Sequence, residues 1–243
     1  MPQTTTPSTF DEISDAMRDY LAEIYRIGRG QLWVSTTTIA EQLSVSGPAT
    51  VRMVRRLQEH GLVEHLPYKG VRLTPDGTIA ALLAIRRHRL AERFLVDVLN
   101  FGWHEVHEQA EVLQKGITPA IEDRMDALMD FPTTCPHGDP IPGKSGSMPP
   151  LTDRPLTVVP QGTTGTISRV KTHEPEKLQY LAEIGMIPGT GFTLKNRGPF
   201  NGPLRILLNN RDEHIIGSEL AAAIWVECDE PASVSMPRGA SRD

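Results

Sequence analysis

Cysteine is nearly missing from this sequence: Cys135 and Cys228 are the only two in 243 residues. Two so far apart exclude a disulfide-framed secreted scaffold and point to a reducing compartment. Long apolar runs are missing too. No stretch approaches the roughly 18 residues that a membrane-spanning helix needs, so no membrane partner is expected. Excess positive charge is also missing: 25 Lys and Arg against 30 Asp and Glu leave a net charge of -5. That excludes a chain that simply coats nucleic acid, and any DNA-binding surface has to be local. The opening MPQTTTPSTF has neither a basic start nor an apolar stretch after it. No secretory signal is therefore expected, and a cytoplasmic location is. No internal repeat is visible.

What is present is ordinary globular material, 39% apolar and 23% charged, long enough for two or three domains. Thr9 and Glu12 have capping-box spacing. Ile13, Met17, Tyr20, Leu21, Ile24 and Tyr25 then recur with helical period, and Gly28 and Gly30 end the run. A second helix is expected from Ser35–Thr38 through Leu43, and a third from Pro48 to a stop at Gly61. LVEHL and GVRLT, joined around PYKG, read as a hairpin. Thr74-Pro75 opens a long helix to about Leu99. WHEVHEQAEVLQKGITPAIEDRMDALM forms another, with a break near Gly116 and Pro119. Beyond a Pro/Gly-rich stretch, short strands with one helix at PEKLQYLAEIG suggest a small β-barrel.

TIAEQLSVSGPATVRMVRRLQEHGLV has helix-turn-helix spacing. Its second helix is expected to bury Val51, Val54 and Leu57 and to expose Thr50, Arg52, Met53 and Arg56. Arg52, Arg55 and Arg56 make a local basic patch in an acidic chain, suited to phosphates and guanine edges. Ser46, Pro48, Thr50 and Arg52 stand at the front of this helix. Lys69 and Arg72 of the hairpin lie where a wing would meet the flanking backbone.

His88 and Glu92 are spaced to share a helix face, and so are His107 and Glu111, with Gln114 and Lys115 extending the second stripe. Asp19 projects from the first helix. Imidazole with carboxylate suits Mn²⁺, Fe²⁺ or Zn²⁺. Either pair could equally be a solvated face. HEQAE also fits His-Glu-x-x-Glu, as in some zinc peptidases, with Glu108 as base, but no third ligand stands at peptidase spacing. Cys135 and His137 sit in CPHGDPIP, where proline excludes helix and central strand.

Taken in order, DYLAEIYRI, SVSGPATVRMVRRLQEHGLVEH, RRHRLAERFLVDVL, WHEVHEQAEVL, CPHGDPIP and TISRV…LQYLAEIGMIPG carry a resemblance across about residues 10–230. The chain resembles iron- or manganese-dependent transcriptional repressors of the diphtheria-toxin-repressor and manganese-transport-regulator type. The resemblance implies a mainly α protein with a small β part. Its parts would be a winged helix-turn-helix at 10–74, a helical dimerisation and metal domain at 75–131, a linker at 132–155 and an SH3-like barrel at 156–230. Residues 1–9 and 231–243 are expected to be disordered.

The resemblance further implies a homodimer on a palindromic double-stranded operator, not an enzyme. Mn²⁺ or Fe²⁺ would be the effector, with Zn²⁺ or Co²⁺ able to substitute in vitro. It implies two overlapping ligand sets, His88/Glu92/His107 and Glu92/Cys135/His137, with Glu174 as a carboxylate from the barrel. Which set closes the shell stays open. A further site implied at Asp19 and Glu111 is at odds with Gln114 and Lys115, because a charged ammonium has no lone pair to give. A regulator that has lost metal control is the alternative this raises.

Overall fold

The computed structural model describes residues 13–229. They form two compact units that divide between Leu151 and Thr152. The described residues hold eight α-helices, a two-stranded sheet and a six-stranded sheet. No helix among them is long and apolar enough to cross a membrane.

In the first unit, α1 (Asp15–Ile27), α2 (Thr36–Gln42) and α3 (Gly47–Glu59) precede the hairpin β1 (Val63–Leu66) and β2 (Gly70–Leu73). The side chains of Ser14, Ser35 and Ser46 cap the three helices by accepting from Met17, Thr38 and Ala49 backbone N–H groups. Each such cap contributes about 1 kcal/mol. The cap of α1 is thus Ser14; Thr9 and Glu12, expected in that role, lie outside the described residues. Val34 bridges Val71 and extends the hairpin. A side chain at Gly70 would collide with the Val34 carbonyl.

Thr74 caps the long helix α4 (Pro75–Asp97), with Pro75 in its first turn. Gly77 packs so closely on the Leu62 carbonyl that a Cβ would lie 1.8 Å from that oxygen. The close contact seats α4 against the end of α3. The helix then runs through two cores. Ala80–Ile85 join Met17, Leu21, Ile39, Val54 and Leu57 in the first. Ala91 and Leu95 join Val106, Ala110, Ile117 and Met125 in the second. The latter three elements are α5 (Val106–Leu113), a 3₁₀ turn (Gln114–Gly116) and α6 (Pro119–Leu128). The expected break at Gly116 and Pro119 is this turn.

Residues from Pro132 to Leu151 belong to the first unit and fold back on α4. The buried Arg86 guanidinium holds Glu122 at 2.7 Å, Asp126 at 2.5 Å and the Pro142 carbonyl at 2.8 Å. Arg89 donates to the Pro140 carbonyl. A Thr134–Pro140 bridge closes the loop between them.

The second unit is an antiparallel sheet ordered β3-β8-β4-β5-β6-β7. Its strands are β3 (Arg154–Pro155), β4 (Thr164–Val170), β5 (Gly191–Arg197), β6 (Leu204–Leu208), β7 (Asp212–Ile216) and β8 (Ile224–Cys228). Helices α7 (Pro175–Glu183) and α8 (Ser218–Ala223) lie between strands. Irregular pairing between Ile167 and Arg169 accompanies a buried Arg169, which Asp153 chelates at 2.5 and 2.7 Å over the Trp225 ring.

Candidate metal centre and nucleic-acid face

Three nitrogen and oxygen donors meet where α4 crosses α5. His88 Nε2 lies 3.2 Å from Glu92 Oε1 and 3.3 Å from His107 Nδ1. His107 Nδ1 lies 3.3 Å from the same Glu92 oxygen. The atoms form a near-equilateral triangle. Bonds of about 2.0–2.2 Å to one ion impose donor separations of about 3.0–3.4 Å, so a single divalent cation fits this set. Helical spacing puts His88 above Glu92 on α4, and the α4–α5 packing brings His107 across.

A second group shares Glu92. Its donors with Cys135 and His137 all fall within 4.8 Å of one another, and all three residues are buried. His137 Nδ1 lies 3.8 Å from Glu92 Oε2, while its Nε2 donates to the Trp103 carbonyl at 2.8 Å. Trp103 stacks on the ring. The backbone supplies the geometry for Cys135: its N–H donates to Asp139, and its carbonyl accepts from Gly138. The proline-rich stretch is therefore a packed loop that aims a thiol and an imidazole at α4.

Burial alone would push the Glu92 carboxyl up, but His107, His137 and His88 outweigh it and hold it well below the ordinary carboxylate range. Burial, then the Glu92 charge, push the Cys135 thiol well up. Burial works against protonation of His137, yet Glu92 more than compensates and raises it. The pocket is thus built around one carboxylate that holds positive charge.

Other expected residues fall elsewhere. Glu111 is exposed, 3.7 Å from His107 Nε2, outside both donor groups. Asp19 lines a cavity of about 20 Å³ with Asp15, Arg18, Ala84, Arg87, Gln114 and Lys115. Partial burial pushes its carboxyl up, and Lys115 offsets that in part. Glu174 precedes α7 in the second unit and pairs with Lys177 at 2.7 Å. His107 turns Nδ1 to Glu92, and Glu108 is exposed. Arg89, Asp139 and the Trp103 carbonyl also shape this pocket; no local motif marks them, because they act through contacts distant in sequence.

On α3 the expected faces need correction at three positions, one of them Met53, which is half-buried against the core rather than exposed. Thr50 is buried, its hydroxyl donating to the Ser46 carbonyl, whereas Val51 is 49% exposed. Thr50, Val54 and Leu57 share the inward stripe, since they recur at four and three residues. Ser46, Pro48, Arg52 and Arg56 are exposed. In the hairpin, Lys69 lies over the Trp33 ring. Arg72 also lies over Trp33 and is neutralised by Glu64 at 2.7 Å.

Residues 12–71 match the family model described as iron dependent repressor, N-terminal DNA binding domain. Residues 74–143 match iron dependent repressor, metal binding and dimerisation domain, and 154–228 match the FeoA domain. A solved structure described as a manganese-dependent transcriptional repressor in complex with manganese is 38% identical. Its TM-score is 0.81 over 87% of this chain and 99% of that one. The chain belongs to the iron-dependent repressor family. The iron-dependent repressor IdeR of Mycobacterium bovis is 29% identical over 229 residues, covering 89% of this chain and 99% of that protein. The diphtheria toxin repressor of Corynebacterium glutamicum is 28% identical over 226 residues, covering 89% and 97%. These relatives are repressors, so the peptidase alternative is set aside.

One family expectation does not fit this repressor. In the cavity at Asp19, Arg18 is held by Asp15 and Arg87 by Glu122, and the third cationic side chain, Lys115, shares the lining with Asp19. A divalent cation there would meet an ammonium in place of a ligand.

Proposed function

We propose that this repressor senses Mn²⁺ or Fe²⁺ through His88, Glu92 and His107, with Cys135 and His137 completing the shell around Glu92, and that it binds a palindromic operator as a homodimer in the cytoplasm. The observation that carries the reading is the donor triangle, whose sides of 3.2–3.3 Å suit one ion. When bound, the ion supplies charge and fixed coordination. The chain's own residues do the rest. Glu92 neutralises the charge with one oxygen toward each donor group. Trp103 and Gln114 hold the outer nitrogens of His137 and His88. Cys135 favours softer cations, and the imidazole–carboxylate set accepts harder ones. Glu174, in the second unit, is kept as a candidate ligand on the family resemblance and on its carboxylate chemistry alone.

The reading of DNA rests on Ser46, Pro48, Arg52 and Arg56, now with Val51 in place of Thr50. An exposed valine beside Arg52 suits a thymine methyl next to a guanine edge. Lys69 serves the flanking phosphates, and Arg72 serves mainly to hold the hairpin. Dimerisation is supported by apolar side chains left exposed on and after α5 and α6: Val112 at 71%, Leu128 at 66% and Phe131 at 61%. Two symmetric readers match a two-fold operator. Metal must favour the DNA-competent arrangement, typically by about 1–3 kcal/mol of coupling.

The test is duplex binding by fluorescence anisotropy, with selected operator DNA, in Mn²⁺ and in chelator. Metal-dependent affinity supports the reading. Equal affinity in both would instead favour a regulator freed from metal control.

A further inference from the structure

The 3₁₀ turn Gln114–Gly116 joins two places that are otherwise separate. The Gln114 side chain lies 3.1 Å from His88 Nδ1, presenting its carbonyl oxygen Oε1. Gln114 and Lys115 also line the cavity that faces Asp15, Arg18 and Asp19 of α1, the first helix of the DNA-binding region. A carbonyl oxygen accepts and cannot donate. It therefore requires the proton of His88 to sit on Nδ1. In the neutral ring that a metal requires, Nε2, which faces Glu92 Oε1 and His107 Nδ1, is then the nitrogen that offers a lone pair.

We propose that Gln114 is a positioning residue that fixes the His88 tautomer for metal binding, and that Lys115, next to it in the same turn, relays metal occupancy to α1 through Asp19. The inference rests on the reading of His88, Glu92 and His107 as the effector site. The two halves follow from one rigid element. A 3₁₀ turn has little slack, so anchoring Gln114 on a metal-bound His88 also anchors the Lys115 backbone. The Lys115 ammonium then faces Asp19 across the cavity they both line, from a fixed base. Neither residue touches the ion, and neither function needs a second cation at Asp19.

The experiment uses the full chain and Mn²⁺ alone. Calorimetry measures Mn²⁺ affinity, ¹⁵N imidazole shifts report the His88 tautomer, and amide hydrogen exchange follows α1. Gln114→Met should lower Mn²⁺ affinity by about 10–100-fold, the usual cost of losing a ligand's outer partner, and should mix the His88 tautomers. Gln114→Glu keeps an acceptor and should stay within about threefold of the parent. Lys115→Met should bind Mn²⁺ within about threefold of the parent, yet lose the Mn²⁺-induced slowing of α1 exchange, expected at about fivefold or more. Parent-like Mn²⁺ affinity and a single tautomer in Gln114→Met overturn the positioning role. Full Mn²⁺ protection of α1 in Lys115→Met overturns the relay. A parent chain that binds no Mn²⁺ rejects the effector-site reading itself, which is a separate outcome.

Discussion

Glu92 Oε2 and His137 Nδ1 lie 3.8 Å apart, one from the middle of α4 and the other from a proline-rich loop, with both side chains sealed from solvent. The same carboxylate turns its other oxygen to His88 and His107. One residue therefore serves both donor groups, and its substitution is the most informative.

Glu92→Gln should reduce Mn²⁺ affinity by more than about 100-fold, beyond the range seen for outer-shell partners. Cys135→Ser should weaken Cd²⁺ or Zn²⁺ far more than Mn²⁺, because only the softer ions gain from thiolate. Calorimetric titration of both variants checks this. Parent-like Mn²⁺ binding by Glu92→Gln would mean that the donor triangle is not the site.

The pH dependence follows from the charge held by Glu92. Its carboxyl is depressed, so its contribution to the metal-free fold is present above about pH 4.5 and lost as pH falls through the lower folded value. His137 is raised, so its contribution is full below about pH 6.5 and lost as pH rises through the higher folded value. The stability difference between the parent and Glu92→Gln should peak between these limits without metal. Mn²⁺ affinity should climb from about pH 6 to 8 with proton release, since a ligating imidazole must be neutral. Urea titrations and calorimetry in two buffers of different ionisation heat would reveal a flat profile, which would contradict the proposed coupling.

Thiol reactivity should separate the two cysteines. Cys135 is buried with a raised thiol, whereas Cys228 is partly exposed. A colorimetric thiol reagent should label Cys228 first in the native protein and reach Cys135 only after unfolding. Fast native labelling of both would show that the loop opens readily.

Arg52→Ala should weaken operator binding by about 1–3 kcal/mol and relax base preference, if its contact is bidentate. Lys69→Ala should weaken all duplexes similarly and reduce the salt slope by about 1. Thr50→Val should act on stability and leave base preference alone. Anisotropy at several salt concentrations distinguishes the three, and a changed base preference in Thr50→Val would reverse the assignment of faces on α3.

Arg86→Met should be the costliest change away from the metal pocket. It strips the shorter-range partner from two carboxylates, Asp126 and Glu122, whose side chains are 6% and 13% exposed, leaving Lys144 at 3.7 Å and Arg87 at 3.5 Å. Breaking such a buried set costs about 3–5 kcal/mol. Urea unfolding followed by circular dichroism measures it, and a loss under 1 kcal/mol would show that Lys144 or solvent takes over.

Local order was legible in the residues. The 3.6-residue recurrence through α1, the Ser and Thr caps, Pro48 and Pro75 in first helical turns, and the hairpin around PYKG each act over a few neighbours. The reading of α3 slipped by one position. Val51 is apolar, which favours an inward position, yet the stripe set by Val54 and Leu57 turns Thr50 inward, where its hydroxyl finds a backbone acceptor.

The sequence by itself determined the order of elements, the residue types able to hold a divalent cation, and the doubt over a cation at Asp19, because helical spacing and a lysine's lack of a lone pair are local facts. Only the tertiary structure decided that His107 meets His88 and Glu92, that the loop carrying Cys135 and His137 packs beneath them, and that Gln114 reaches His88 while lining the cavity beside α1. Those contacts join segments far apart in the chain. They depend on how α4 packs through both cores and on the Arg86 and Arg89 anchors that draw the loop onto it, and no short-range pattern encodes either.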